Sequence, residues 1–180
     1  MTRLFTGTGD SGQTDLLGDR VAKSDPRIEA LGELDEATSA IGLARSLITR
    51  SAIGSVLIDV QRDLYRIMAE VAFTDEIRPA HYTFSADRIE WLEERISEIG
   101  ESVELAPEFV LPGETAPGGA ADLARAVVRR AERRAVALSE ASLLTNQSIL
   151  RYLNRLSSLL FIVARAVEQD EGTRAPRAKT

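Results

Sequence analysis

Two stretches of this chain concentrate groups that bind anions. The first, "TGTGDSGQTDLLGD", runs from Thr6 to Asp19 and crowds glycine, threonine and aspartate close to the N-terminus. Glycines let a backbone turn its N–H groups toward an anion, and threonine hydroxyls add donors. The second is "LARAVVRRAERR". On a helix Arg125, Arg129 and Arg133 fall at i, i+4 and i+8, hence on one face, with Arg130 and Arg134 in a neighbouring row and Glu132 between them. The face carries arginine and no lysine, and arginine is the residue for fixed bidentate contacts to phosphate or carboxylate. The chain as a whole has a net charge of −6 and only 5% aromatic residues. That balance argues against a general nucleic-acid binder and against a stacking platform for single strands. A local polyphosphate site remains, where each charge–charge contact at ~4 Å is worth roughly 4 kcal/mol before desolvation.

Blander readings stand beside these. Gly7, Gly9 and Gly12 spell G-x-G-x-x-G, but a dinucleotide fingerprint must follow a strand and open a helix. Here no strand of useful length precedes it and no helix pattern follows at once, so the Rossmann reading fails; the kinase loop fails for want of its partner motifs. The stretch could be a flexible polar arm, and the arginines a solvated face. Asn154 sits at the edge of an apolar stripe, where a partly buried amide needs partners; it serves either an interhelical hydrogen bond or a nucleotide. Asp35 is flanked by Leu34 and Ala37 and could form an ordinary salt bridge, for instance to Arg125. The single histidine, His81, lies in a linker and reads as a surface residue.

The elements that must hold these groups are helical. Leu34, Ala37, Ile41, Ala44 and Ile48 recur at three and four, behind Asp25 as N-cap and Pro26 at the first helical position. Val56, Val60, Leu64, Ile67 and Val71 form a second stripe, and Ile89, Leu92 and Ile96 a third, stopped by Gly100. A fourth helix over about 119–138 carries Ala120, Ala124, Val127, Ala131 and Leu138. A fifth, from Asn146, carries Ile149, Leu153, Leu156, Leu160, Val163 and Val167. No alternating run competes; "RLFT" and "FVLP" are at most short extended pieces. The expectation is an all-α, five-helix antiparallel bundle over 25–170. An N-terminal arm, 1–24, belongs to the same domain, and a flexible tail follows at 171–180. The long connection "ESVELAPEFVLPGETAPG" is too apolar at Phe109, Val110 and Leu111 for plain disorder, and loops of that length are usually functional.

With 180 residues the chain can bury a core without staples, and it has no cysteine, which removes disulfides, thiolate metal sites and cysteine nucleophiles. Without a signal pattern or an apolar run of the ~20 residues a membrane span needs, it reads as a soluble, cytoplasmic protein.

Taken in order, "FTGTGDSGQTDLLG", "VAKSDPRIEALGELDEATSAIGLAR", "FVLPG", "LARAVVRRAERR" and "YLNRLSSLLFIVAR" resemble the motifs of PduO-type ATP:cob(I)alamin (corrinoid) adenosyltransferases, over about residues 3–167. The resemblance implies a ferritin-like helical bundle that assembles as a homotrimer with active sites between subunits. It implies the substrates ATP, with Mg²⁺ on its phosphates, and cobalamin or another corrinoid. By position, Thr6, Thr8, Gly9, Asp10, Gly12 and Lys23 match the arm that wraps ATP. Arg129, Glu132, Arg133 and Asn154 match the ATP contacts on the helices. Asp35 and Arg125 match a pair that meets across the interface and supports the corrinoid, and Phe109 matches the aromatic under the corrin ring. Arg129, Phe109, Asp35 and Arg125 would then be the catalytic set. A cob(II)alamin reductase and an adenosylcobalamin-dependent enzyme are the protein partners implied. The pattern is departed from at Ala37, Thr38, Glu114, Ala121, Asp122 and Ser158, where the family usually has Leu, Asn, Gly, Leu, His and Asp, and the family's aromatic C-terminal segment is not evident. A second reading stays open at this point, a catalytically inactive relative that binds ATP or corrinoid as a sensor, carrier or assembly protein. A third is a plain structural bundle.

Overall fold

In the computed structural model, residues 5–74 and 76–179 are described. An antiparallel hairpin, β1 (Gln13–Leu16) and β2 (Asp19–Ala22), precedes five helices. These are α1 (Pro26–Leu47), α2 (Ser51–Ala72), α3 (Asp87–Gly100), α4 (Ala116–Glu140) and α5 (Gln147–Asp170), with one 3-10 turn at Ala80–Tyr82 between α2 and α3.

The helix starts follow from capping. Asp25 accepts from the Arg27 N–H at 2.8 Å ahead of Pro26, Thr115 accepts from the Gly118 N–H at 3.1 Å ahead of Pro117, and Asn146 accepts from the Ser148 N–H at 3.0 Å. Gly100, expected just past the end of α3, is its last residue. The α2 and α4 helices begin earlier than their apolar stripes suggest, at Ser51 and Ala116.

All five stripes meet in one core, with Leu34, Leu57, Leu64, Leu92, Leu153 and Leu160 fully buried. Burying each such side chain contributes roughly 1.5–3 kcal/mol. The buried face of α4 is rich in alanine, with Ala121, Ala124, Ala131 and Ala135 beside Val127, Val128 and Leu138. Small side chains let helix axes approach closely, and α4 lies between α1 and α5, the two helices it packs against most extensively. The arginine face is therefore the outer side of a helix clamped along its length.

Two segments depart from the sequence expectation. The arm contains a hairpin that composition does not announce: its tip uses Gly18 at φ +98°, and a side chain there would collide with Ile77 Cδ1. The "RLFT" stretch lies partly outside the described residues. The tail, expected to be free, runs beside the long connection. Val110 and Arg177 form an antiparallel bridge, with Leu111 N–H donating to Pro176 O and Ala178 N–H to Phe109 O, both at 2.8 Å. Backbone groups left unpaired by a loop need partners, and these two irregular segments supply each other's.

Candidate functional site

The two arginine rows of α4 separate cleanly. Arg130 reaches α1, its Nε donating to Glu33 at 2.5 Å and its Nη2 to Glu36; these bonds raise its already high pKa, Glu36 contributing most. Arg134 pairs with Glu29 at 2.5 Å. Arg129 and Arg133 point away from those glutamates. Both are exposed; Arg133 donates to the Arg129 carbonyl at 3.0 Å, and among the described residues neither has an acidic partner. An isolated pair of guanidinium groups one turn apart is a site for an anion.

One turn along, Glu132 accepts from Asn154 Nδ2 at 3.0 Å, joining α4 to α5. Asn154 is exposed rather than partly buried, and it is the interhelical bond that the structure makes. Its Oδ1 also accepts from Arg155 at 2.9 Å.

Arg129 also lines a cleft of about 720 Å³, together with Arg125, Phe109, Asp122, Ser158 and Phe161. Phe109 stands on the outer wall with 89% of its surface exposed. The cleft thus unites three residues singled out from the sequence: Phe109, Arg125 and Arg129.

Other singled-out residues lie elsewhere. Thr6, Thr8, Gly9, Asp10 and Gly12 form successive turns, with Asp10 N–H to Gly7 O at 3.2 Å and Gly12 N–H to Gly9 O at 3.1 Å. Gly7 and Gly12 adopt φ +75° and +79°, which side chains resist. Lys23 N–H closes the loop on Gly12 O at 2.9 Å, and its ammonium lies 3.2 Å from where a Gly9 Cβ would stand. Arg20 stiffens the loop from behind, donating to Thr8 O at 2.7 Å and to Asp15 at 2.9 Å. Among the described residues, no hydrogen bond or ion pair joins residues 6–12 to α4. Asp35 is exposed on α1 and forms no salt bridge to Arg125 within the chain; Arg125 pairs instead with Asp122 at 3.1 Å. Among the described residues no cluster of three or more acidic or histidine side chains could hold a metal ion. His81 is exposed beside the Tyr82 ring.

Sequence reasoning missed the buried ionic groups. Arg165 on α5 is bound by Glu168 and by Asp122. Deeper in the bundle Asp63 takes three bonds from Arg88, one from Arg66 at 3.2 Å and one from Tyr152 Oη at 2.9 Å. Burial and the neighbouring Asp63 carboxylate push the Tyr152 hydroxyl well above its ordinary pKa. Among the departures from the family pattern, Ala37 and Ala121 are core residues, and Thr38 bonds the Leu34 carbonyl at 2.9 Å. Glu114 is exposed, whereas Asp122 and Ser158 line the cleft.

The fold and site define a class: an α-helical bundle with a glycine-turned arm, a free arginine pair and a half-apolar cleft beside it. Residues 4–167 match the family model described as cobalamin adenosyltransferase. The chain is 34% identical to a corrinoid adenosyltransferase of Bacillus subtilis, over 94% of this chain and 89% of that protein. It is 38% identical to one from Mycobacterium tuberculosis, over 94% and 91%. A solved variant of the PduO-type ATP:corrinoid adenosyltransferase from Lactobacillus reuteri, complexed with cobalamin and ATP, superposes with a TM-score of 0.91 at 32% identity, covering 99% of this chain and 97% of that one. The chain belongs to the cobalamin adenosyltransferase family.

Proposed function

We propose that this protein transfers the 5′-deoxyadenosyl group of ATP to the cobalt of cob(I)alamin or a related corrinoid. The observation that carries this reading is the convergence of Arg129, Arg125 and Phe109 on one cleft beside a pair of uncompensated guanidinium groups.

Cob(I)alamin is a strong nucleophile, so the corrinoid brings the hard chemistry. Its cobalt attacks C5′ of ATP. The Co–C bond forms with the cobalt electron pair, the C5′–O bond breaks, and triphosphate leaves with the electrons of that bond. Cobalt is formally oxidised from Co(I) to Co(III). No protein base or nucleophile is needed. The chain's own tasks are placement and charge. Arg129 and Arg133 hold the triphosphate and stabilise charge as it departs. Glu132 and Asn154, already bonded to each other, offer the nucleoside a rigid polar edge. Thr6, Thr8, Gly9, Asp10 and Gly12 fold over the phosphates, with Lys23 held at Gly9 to meet them. Mg²⁺ comes with the ATP phosphates, its ligands being those oxygens. Phe109 stands under the corrin ring and excludes the lower axial ligand, which eases reduction of the cob(II) form.

The active assembly is a homotrimer with sites between subunits. Supporting this, Asp35, Ser39, Leu43 and Leu47 recur every four residues along one exposed face of α1, where Leu43 and Leu47 keep 51% and 41% of their surface. Among the described residues Asp35 has no partner in its own chain, and it meets Arg125 of a neighbouring copy. A cob(II)alamin reductase supplies the reduced substrate and an adenosylcobalamin-dependent enzyme receives the product. The setting is cytoplasmic; among the described residues no helix is long and apolar enough to cross a membrane.

The test is optical. Purified protein, ATP, Mg²⁺ and chemically reduced cobalamin should convert the cob(I)alamin spectrum to that of adenosylcobalamin, with triphosphate released in equal amount. Tight ATP binding without spectral change would select the inactive sensor or carrier instead, and no nucleotide binding would leave only a structural bundle.

A further inference from the structure

Arg125 and Asp122 are one helical turn apart. On an ordinary surface such a pair contributes a few tenths of a kcal/mol. This pair is not ordinary. The Asp122 side chain retains 3% of its surface, and its two oxygens serve different arginines. Oδ1 accepts from Arg125 Nε at 3.1 Å, and Oδ2 accepts from Arg165 Nη2 at 2.6 Å. Arg165, itself 8% exposed, is fixed from the other side by Glu168, with Nε to Oε2 at 2.7 Å and Nη2 to Oε1 at 2.9 Å. Glu168 in turn packs so closely against the start of α4 that a side chain at Gly118 would stand 2.8 Å from it. A hydrogen-bonded chain therefore runs Glu168–Arg165–Asp122–Arg125, from the interior of α5 to the wall of the cleft.

This arrangement sinks Glu168, Arg165 and Asp122 between two helices and ends on Arg125, which keeps 32% of its side-chain surface. An apolar cluster of the same volume would stabilise the bundle at least as well, so stability alone does not explain it. What the chain accomplishes is orientation. Arg125 is gripped by Nε alone, and among the described residues its Nη1 and Nη2 donate to nothing. The two terminal nitrogens are thereby left free on a guanidinium that lines the cleft and is fixed at Nε.

We propose that Asp122 is a positioning residue for adenosyl transfer, holding Arg125 by its Nε so that its terminal nitrogens are left to the subunit interface and the corrinoid half of the cleft. The proposal rests on the adenosyltransferase reading given above. It separates the two substrates: Asp122 acts on the corrinoid through Arg125 and leaves ATP recognition by Arg129 and Arg133 untouched.

A double-mutant cycle tests it. Asp122→Asn keeps the shape of the side chain and removes its charge. Because a misplacement of about 1 Å can cost on the order of a hundredfold, kcat/KM for cob(I)alamin should fall about ten- to a hundredfold while KM for ATP stays within about twofold. In an Arg125→Ala background the same substitution should change kcat/KM for cob(I)alamin by less than about twofold. Independent, multiplicative losses in the cycle would overturn the positioning role, as would equal losses toward both substrates. Should Asp122→Asn fail to fold, Asp122→Glu retains the charge and shifts the carboxylate by one methylene. A folded Asp122→Glu protein with unaltered kcat/KM for cob(I)alamin overturns the proposal, and a selective loss on the corrinoid side supports it. Wild-type protein measured alongside distinguishes the two levels: if it forms no adenosylcobalamin, the functional reading falls and the positioning role with it, whereas an active wild type with an additive cycle sinks the positioning role alone.

Discussion

The α4 helix carries two rows of arginines, alike in residue type and spacing and opposite in circumstance. Arg130 and Arg134 face α1, which presents Glu29, Glu33 and Glu36 at helical intervals, and every one of those glutamates is taken. Arg129 and Arg133, one position back, meet no carboxylate among the described residues. Like charges on adjacent turns repel, so a row left uncompensated is kept at some cost to the folded chain. The comparison teaches that a run of arginines has no meaning of its own: the facing helix assigns one row to architecture and leaves the other for a ligand.

The largest effect should come from breaking the free row. Arg129→Ala should lower kcat/KM for ATP about a hundred- to a thousandfold, the usual consequence of removing one donor from a developing anion, with the melting temperature nearly unchanged. Arg130→Ala is the matched control and should keep activity within about threefold in the same assay. If both variants lose activity alike, the division of α4 into two rows is mistaken.

Phe109→Ala extends the comparison to the other wall of the cleft. Covering a phenyl ring with an apolar ligand face is worth roughly 1.5–3 kcal/mol, so turnover starting from cob(II)alamin and a reductant should fall about tenfold or more. Turnover from chemically prepared cob(I)alamin should fall much less. Equal losses by both routes, read in parallel spectral assays, would remove Phe109 from the reduction step.

How much of this was legible in advance follows from what periodicity can encode. The stripe Leu34–Ala37–Ile41–Ala44 and its counterparts placed five helices, because burial on one face repeats at three and four whatever the neighbours are. The rows of α4 were visible as rows, but their separation was not, since it depends on which glutamates of α1 come opposite. The β1–β2 hairpin escaped because its strands are four residues each and mostly exposed, so no alternation marks them. Asp63 and Glu70 also escaped, although both fall on the apolar stripe of α2 at three-residue steps from Val60 and Ile67. A carboxylate in such a register is a sign of a buried partner, and Arg88, Tyr152 and Asn146 are those partners. Arg165 inside "LLFIVARAV" carried the same signal. The pairing of the tail with the Phe109 segment joins residues about seventy positions apart through backbone groups, which no side-chain pattern records.

Arg88 marks the fully compensated extreme of the comparison, since burial lowers its pKa but the bonds and charge of Asp63 more than restore it. Its neighbour Tyr152 gives a pH signature. The folded pKa of Tyr152 is raised above the unfolded value, so its contribution is complete below about pH 10 and is lost as pH rises beyond the unfolded tyrosine range. Tyr152→Phe should cost about 1–2 kcal/mol near neutrality, the price of leaving an Asp63 oxygen short of one bond, and should flatten the decline of melting temperature above about pH 10. Activity per folded molecule should not change. An alkaline decline as steep in the variant as in the parent would show that other groups govern it.

The smallest effect belongs to the outer end of the paired row. Arg134 and Glu29 retain 48% and 47% of their side-chain surface, so solvent and salt screen the bond between them. Arg134→Ala should therefore lower stability by no more than about 1 kcal/mol, and the gap between variant and parent should narrow as salt is raised toward about 1 M, where the screening length falls to about 3 Å. Thermal unfolding at low and high salt, with the adenosylation assay run beside it, measures both halves of the claim. A loss of ATP-dependent activity in Arg134→Ala that salt does not alter would mean that the row facing α1 also reaches the nucleotide, and the contrast between the two faces of α4 would then have to be redrawn one turn further along the helix.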